Sequence, residues 1–433
     1  MKLFVSAVGK SARGMGQGFL LTYRGLKRGE PNVMNFIMYG LLFDVFFNLY
    51  RPFSVKFLTR LGGAEWYVFL LSSLPGVVAV FALIPGSLII NRFKRKKGVV
   101  SVFLLAARFF VLLMAFVPFL PPGIRPLLFV ILFSLMNFPE AISQSGLQVF
   151  LGDIFDGSTR GRAIALRNKF GQIVAPAVAL MTGLIVTLVP RTDNQAIIVY
   201  QVFFVAAFGF AVCEIFVFRR FRERDSGSVA VASRSLDSLR TIPQTFKNKR
   251  FMGYLTLTIL FYFMFQSAWP LFSILQVIDL GSTELQMAIN VAVSGLFGFI
   301  GAGFWSKLIA RKGNDFAAFI AAIGLALNVM LTATSPNIWV YIAWQSLGGF
   351  NGVGVVITLL NGLLAYTPDK NRVIYICVYN TFVNISLGLS PFFANALHGA
   401  LGTRLAMTAI GIGRILAAGG MFIIYWRGRE AKN

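Results

Sequence analysis

The chain has 433 residues, 57% of them hydrophobic and 13% charged, against roughly 45–50% apolar and about 25% charged in soluble domains. With a mean hydropathy of +0.73, an ordinary soluble fold is excluded. Forty Lys and Arg against sixteen Asp and Glu give a net charge of +24, but the bases fall in short clusters between long apolar runs, the layout of a polytopic membrane protein and not of a solvated nucleic-acid-binding surface.

Residues 1–31 lack the uninterrupted apolar core of a cleavable signal peptide. They read either as a basic interfacial segment on the cytoplasmic side, with Lys10, Arg13, Arg24, Lys27 and Arg28 beside Phe19, Tyr23 and Leu26, or as a partly disordered tail. Twelve stretches then reach the roughly 20 apolar residues that a helix needs to cross a bilayer. They lie near 32–58, 66–90, 98–120, 126–151, 163–189, 196–218, 251–278, 285–309, 316–335, 338–366, 373–397 and 404–426. Pro52, Pro75, Pro139, Pro176, Pro270 and Pro391 are expected to kink or loosen these helices without dividing them. The polar stretch from Arg219 to Arg250 separates two sets of six and suits a mobile linker or a linker with one surface helix.

With the N terminus placed inside, 32 of the 40 basic residues fall on the cytoplasmic side, five on the other and three within spans. A miscounted span would invert every later loop, so this bias supports both the count and cytoplasmic termini. The expectation is an all-α polytopic membrane protein, twelve transmembrane helices in two pseudo-symmetric six-helix bundles. The bundles are 32–218 and 251–426, joined by a linker at 219–250 and followed by a tail at 427–433.

The halves can be overlaid. SLIINRFKR at Ser87 to Arg95 follows span two and SKLIARKGN at Ser306 to Asn314 follows span eight, at an offset of 219. RGRAIALRNKF and RVIYICVYNTF, after spans four and ten, match at Arg160 and Arg372, Asn168 and Asn380, and Phe170 and Phe382, at an offset of 212. Such landmarks in one order point to a duplicated six-span unit.

At this point the chain resembles the major facilitator superfamily over nearly its whole length. The segment after span two is similar to that family's signature: Arg92, Phe93, Arg95 and Lys96 fit, Ser87 and Lys94 replace glycines and Asn91 replaces the acid. In the second half Ala310 replaces the acid, while Arg311 and Gly313 are retained. Span five carries GQIVAPAVA, similar to the Gly-Pro motif associated with antiporters, with Gly171 and Pro176 kept and Ala175 and Ala179 in place of glycines. The resemblance implies a cytoplasmic latch of ion pairs from Arg92, Arg95, Asp153, Asp156, Arg311 and Asp369. The alternative is that these bases only enforce topology. An exposed pair is worth about 0–1 kcal/mol, which suits a latch that must open.

Ionisable residues within spans cost roughly 2.5–3.5 kcal/mol each and normally face a wet cavity or a partner. Asp44, Asn48 and Arg51 share one face of span one, and Glu140 follows Pro139 in span four beside Asn137, Ser143 and Gln144. In the superfamily spans one, four, seven and ten line the central cavity, which implies that Asp44 and Glu140 face one water-filled space. Burial and a neighbouring arginine pull a carboxylate's hold on its proton in opposite directions, so both acids are candidate proton-coupling residues; a structural pair of Asp44 with Arg51 is the alternative. Arg108 reaches an acid on a neighbouring helix or binds an anion. Arg414 has no assigned partner, and Glu214 reads as snorkelling beside Arg219 and Arg220.

The candidate substrate cavity comprises Asn48, Arg51, Arg108, Gln144, Gln266, Trp269, Gln345, Asn351 and Asn361. Its amides and aromatics suit an amphipathic or weakly charged small molecule. LGGFNGVGV at Leu347 to Val355 lies inside a span, so close helix packing accounts for its glycines better than nucleotide binding.

Cys213, Cys377 and the single His398 are scattered, which leaves no disulfide framework, metal site or catalytic constellation. The expectation is no enzyme and no cofactor. The chain reads as a secondary active transporter working by alternating access, with proton-coupled export as the preferred direction. The alternatives are a uniporter, a lipid-translocating protein or an importer of an organic anion. Its partners are a small-molecule substrate, protons and membrane lipid, with no nucleic acid. It is expected to be a monomer in the plasma membrane of a prokaryote.

Overall fold

The computed structural model describes residues 30–92, 96–155, 157–222, 242–368 and 372–430, helices joined by short turns and loops, with no strand among them. Span one comprises Pro31–Tyr50 and Ser54–Arg60 about a 3-10 turn at Arg51–Phe53, where Pro52 interrupts the helix. Spans two and three are Glu65–Arg92 and Lys96–Met114. Span four is two segments, Arg125–Leu135 and Asn137–Ile154. Pro139 has no N–H to give the carbonyl four residues back, so the first segment ends there. The Asn137 side-chain amide donates to the Phe133 and Ser134 carbonyls at the break, at 2.8 and 3.3 Å.

Spans five and six are Gly157–Leu188 and Asp193–Arg219. The second half contains Lys249–Ile274, Glu284–Lys312, Asn314–Ala333, Ile338–Tyr366 and Arg372–Glu430. Eleven helices among the described residues are long and apolar enough to cross a membrane. The last of these holds two spans: Gly402, at φ 75° and ψ 170°, breaks helical geometry inside Arg372–Glu430. Eleven helices therefore carry the twelve spans expected. Of the linker, the short helix Ile242–Lys247 is described. The expected interfacial segment before residue 30, linker residues 223–241 and tail residues 431–433 lie outside the described residues.

Spans one to six pack on one another, as do spans seven to twelve. Lipid is as apolar as the interior, so close packing and not water exclusion holds such helices together. In the first half Phe57 meets Phe129, Tyr200 and Phe204, each at 5.1 Å between ring centroids. In the second half spans eight and ten approach until a Cβ on Gly349 would lie 2.1 Å from the Ser294 carbonyl oxygen. The expected packing role of the glycine-rich run is what this crossing requires.

The halves meet where span two crosses span eleven and span five crosses span eight. All the spans alternate in direction, so their ends define two sides: a basic side, holding the loops after spans two, four, six, eight and ten, and an opposite side. Polar contacts between halves cluster at the opposite side. Arg60, at the end of span one, bonds Glu284, at the start of span eight, at 2.6 Å. Glu65 meets His398 Nε2 at 2.8 Å, and the Leu285 N–H donates to Thr187 Oγ1 at 2.9 Å. Further in, the Ser73 hydroxyl donates to the Gly388 carbonyl. The hydrogen bonds described between the halves lie at or toward that side.

Candidate functional site

Span one carries two faces with different ionic environments. On one face Asp44, 8% exposed and near the midpoint of its span, accepts from Arg167 of span five at 2.7 Å. Its expected alternative partner, Arg51, is turned elsewhere, its guanidinium 4.6 Å from the Phe133 ring and 5.6 Å from the Phe47 ring. Arg167 reaches Asp44 across Gly40 and Gly171, both of which would clash if they carried a Cβ; at Gly171 that atom would lie 2.5 Å from Asp44 Oδ2. Oδ2 is sealed from solvent and has no hydrogen-bond partner. Beside the pair a cavity of about 230 Å³ opens between the halves. Arg167, Asn168 and Gln172 of span five line it with Asp44, and Val291 and Gly295 of span eight form the far wall.

The other face carries Tyr39, Phe43 and Phe46 into the first bundle, where Arg108 of span three lies 4.2 Å from the Phe46 ring. Arg108 is 1% exposed and is met by two acids. Its Nη1 bonds Glu140 at 2.5 Å, and its Nε and Nη2 donate to Glu214 at 3.2 and 3.3 Å. Glu140 also accepts from Gln144 Nε2 at 2.8 Å. Arg108 thus takes the acid partner expected for it. Glu214 is 0% exposed, and the snorkelling expected of it is replaced by a buried ion pair, because span six turns this position inward toward span three.

Of the other expected cavity residues, Asn48 folds back on the Asp44 carbonyl at 2.8 Å, and Gln266 is buried, accepting from Ser386 of span eleven at 2.8 Å. Asn351 Nδ2 donates to the Leu347 carbonyl at 2.8 Å, the Gln345 carbonyl accepts from Ser294 at 3.3 Å, and Trp269 and Asn361 are exposed. These second-half residues do not converge on the cavity beside Asp44, and neither does Glu140. Of the expected latch, Arg311 is exposed at the end of span eight. Arg95, Asp156 and Asp369 lie outside the described residues, as do the side chains of Arg92 and Asp153.

Two features escape a reading of the sequence. Arg167 counts there as one more loop base, although Gly171, one turn later on the same face, leaves the room its side chain crosses. The seal at the opposite side is the second. Glu284 accepts from Arg60 and from the Tyr200 hydroxyl at 3.1 Å, while Arg60 also pairs with Asp193. Arg414, fully buried, is satisfied by the Met264, Leu325 and Phe265 carbonyls at 3.2, 2.8 and 2.7 Å. Among the described residues, no group of three His, Cys, Asp or Glu could hold a metal.

The sequence profile of the Major Facilitator Superfamily matches residues 35–365. The multidrug resistance protein MdtG of Yersinia enterocolitica is 29% identical over 91 residues, 21% of this chain and 22% of that protein. MdtG of Proteus mirabilis is 31% identical over 87 residues, 20% and 21% of the two chains. The chain thus matches about a fifth of the length of these relatives. A crystal structure of the nucleoside transporter NupG superposes with a TM-score of 0.70 at 12% identity, over 91% of this chain and 99% of that one. A D-xylose-proton symporter superposes with 0.66 at 12% identity, over 90% and 96%. At such identities the likeness is one of fold, but the family profile spans most of the chain, and its members are transporters and not enzymes. The chain belongs to the Major Facilitator Superfamily of membrane transporters.

Proposed function

We propose that the protein is a proton-coupled secondary transporter that exports an amphipathic small molecule by alternating access, with Asp44 and Glu140 as coupling carboxylates. The observation that carries this reading is the one-sided seal, in which polar contacts join the halves at the side opposite the basic loops. Placing the basic loops in the cytoplasm, as the positive-inside bias favours, makes this the state that loads from within. Bundles 32–218 and 251–426 then rock about the seam at spans two with eleven and five with eight. A proton on the bare, desolvated Oδ2 of Asp44 frees Arg167 from its partner, so proton occupancy and the cavity wall change together. The partial match to MdtG, a multidrug resistance protein, supports export.

The test uses inverted vesicles with an imposed pH gradient and a panel of amphipathic amines, amides and acids. Substrate-driven proton flux is expected in wild type and absent in Asp44→Asn and Glu140→Gln; an undiminished flux in both variants refutes the coupling role. Arg167 at the cavity favours import of an organic anion as a second reading, which the same vesicles distinguish by direction.

A further inference from the structure

We infer that Glu140 and Glu214 hold one proton between them across Arg108, so that Glu214 completes a proton site in the first bundle. This rests on the proton-coupled reading above. The inference stands on a charge count in a cluster whose arginine and one acid are buried and whose other acid is partly exposed. One guanidinium bonds two carboxylates at 2.5 to 3.3 Å, and both Arg108 and Glu214 are buried. With both acids ionised the cluster carries a surplus negative charge in a low-dielectric interior, where an uncompensated charge is expensive. One proton removes the surplus.

Among the described residues the surroundings supply no other balance. Span one contributes the phenols of Tyr39 and Tyr50, with Tyr39 against Glu214, and phenols are neutral at pH 7. Arg51, also on span one, stacks on the rings of Phe47 and Phe133. Span four adds the neutral amide of Gln144. Among the described residues, Arg108 is the cation bonded to either acid.

The two acids divide the work. Glu140 has a side chain 20% exposed and Glu214 is sealed, so Glu140 exchanges the proton and Glu214 supplies the second charge that makes a proton necessary. Glu214→Gln leaves Arg108 and Glu140 as a balanced pair and pins Glu140 in its ionised form. Coupling at this site is then lost although Glu140 is unchanged and Glu214 is sealed from solvent.

Denaturing the purified protein with sodium dodecyl sulfate at pH 7 in weakly buffered detergent reads the proton directly, because unfolded glutamates are ionised there. Wild type should release about one proton more than Glu214→Gln or Glu140→Gln. The double variant should melt below either single one, since it leaves Arg108 with no anion. Equal release from wild type and Glu214→Gln, as when Arg51 supplies the balance, overturns the inference; so does a double variant as stable as the singles. Where a glutamine variant does not fold, the infrared spectrum of Asp44→Asn serves, because it keeps both glutamates. It should show a carboxylic-acid carbonyl band at pH 7 that shifts on transfer to deuterated water, and absence of that band overturns the inference. None of these readings needs a pH gradient, so the missing vesicle flux that would refute the transport reading is a separate result.

Discussion

Asp44 takes its chemistry from its neighbours more than from its place in the sequence. Arg167 bonds Oδ1 at 2.7 Å, and Gly171 closes over Oδ2. Gly171→Ala must displace the carboxylate beside Arg167, and its expected result is weaker folding by at most about 1–3 kcal/mol with impaired proton coupling, read by thermal unfolding and vesicle flux together. A double-mutant cycle on Asp44→Asn and Arg167→Gln checks the pair: Arg167→Gln strands the buried Asp44 at a cost of about 1–3 kcal/mol, Asp44→Asn strands an arginine whose side chain is 25% exposed and costs less, and the double should cost less than their sum. Asp44 and Glu140 were legible as outliers because charge inside an apolar run is rare. Arg167 was not, since a base near a span's start reads as a topological signal. Glu214 was misread for a related reason: Arg219 and Arg220 lie close by in sequence, whereas its partner Arg108 is brought near only by the fold.

Among the elements, the helix boundaries follow the apolar runs closely, and the prolines act as their chemistry requires. Pro52 and Pro139 sit at breaks, while Pro176, Pro270 and Pro391 lie within continuous helices. Hydropathy sees this level well because spanning length and backbone satisfaction are set locally. The crossing of spans eight and ten depends on Gly349, whose Cβ would strike the Ser294 carbonyl. Gly349→Ala should therefore separate these helices and lower stability by about 1–3 kcal/mol or more, measured as a fall in melting temperature in detergent. Gly352, where a Cβ meets nothing within 4 Å, is the matched control and should tolerate alanine. Phe46 of span one and Phe265 of span seven lie at equivalent places in the two halves, but the arginines over them come from spans the duplication does not relate, Arg108 from span three and Arg414 from span twelve. The first half answers its arginine with two carboxylates and the second with three backbone carbonyls.

For the whole molecule the decisive fact is that, among the described residues, the polar contacts between the halves cluster at the side opposite the basic loops. The seal was invisible in the sequence because Arg60, Glu65, Glu284 and His398 sit at span ends, where charges are ordinary, and only the docking of one half on the other pairs them. Glu284 gathers Arg60 and Tyr200, so Glu284→Gln should loosen the sealed side by about 1.4 kcal/mol, a tenfold shift in population. Paired spin labels in protein with Cys213 and Cys377 replaced by alanine report that shift. One pair replaces Arg191 and Asn337 on the sealed side, and a second replaces Gly161 and Lys312 on the basic side, all four positions being exposed. If the halves alternate, Glu284→Gln lengthens the first distance and shortens the second in the same fraction of molecules. Two distances that stay fixed, or that lengthen together, would contradict a transporter that opens one side by closing the other.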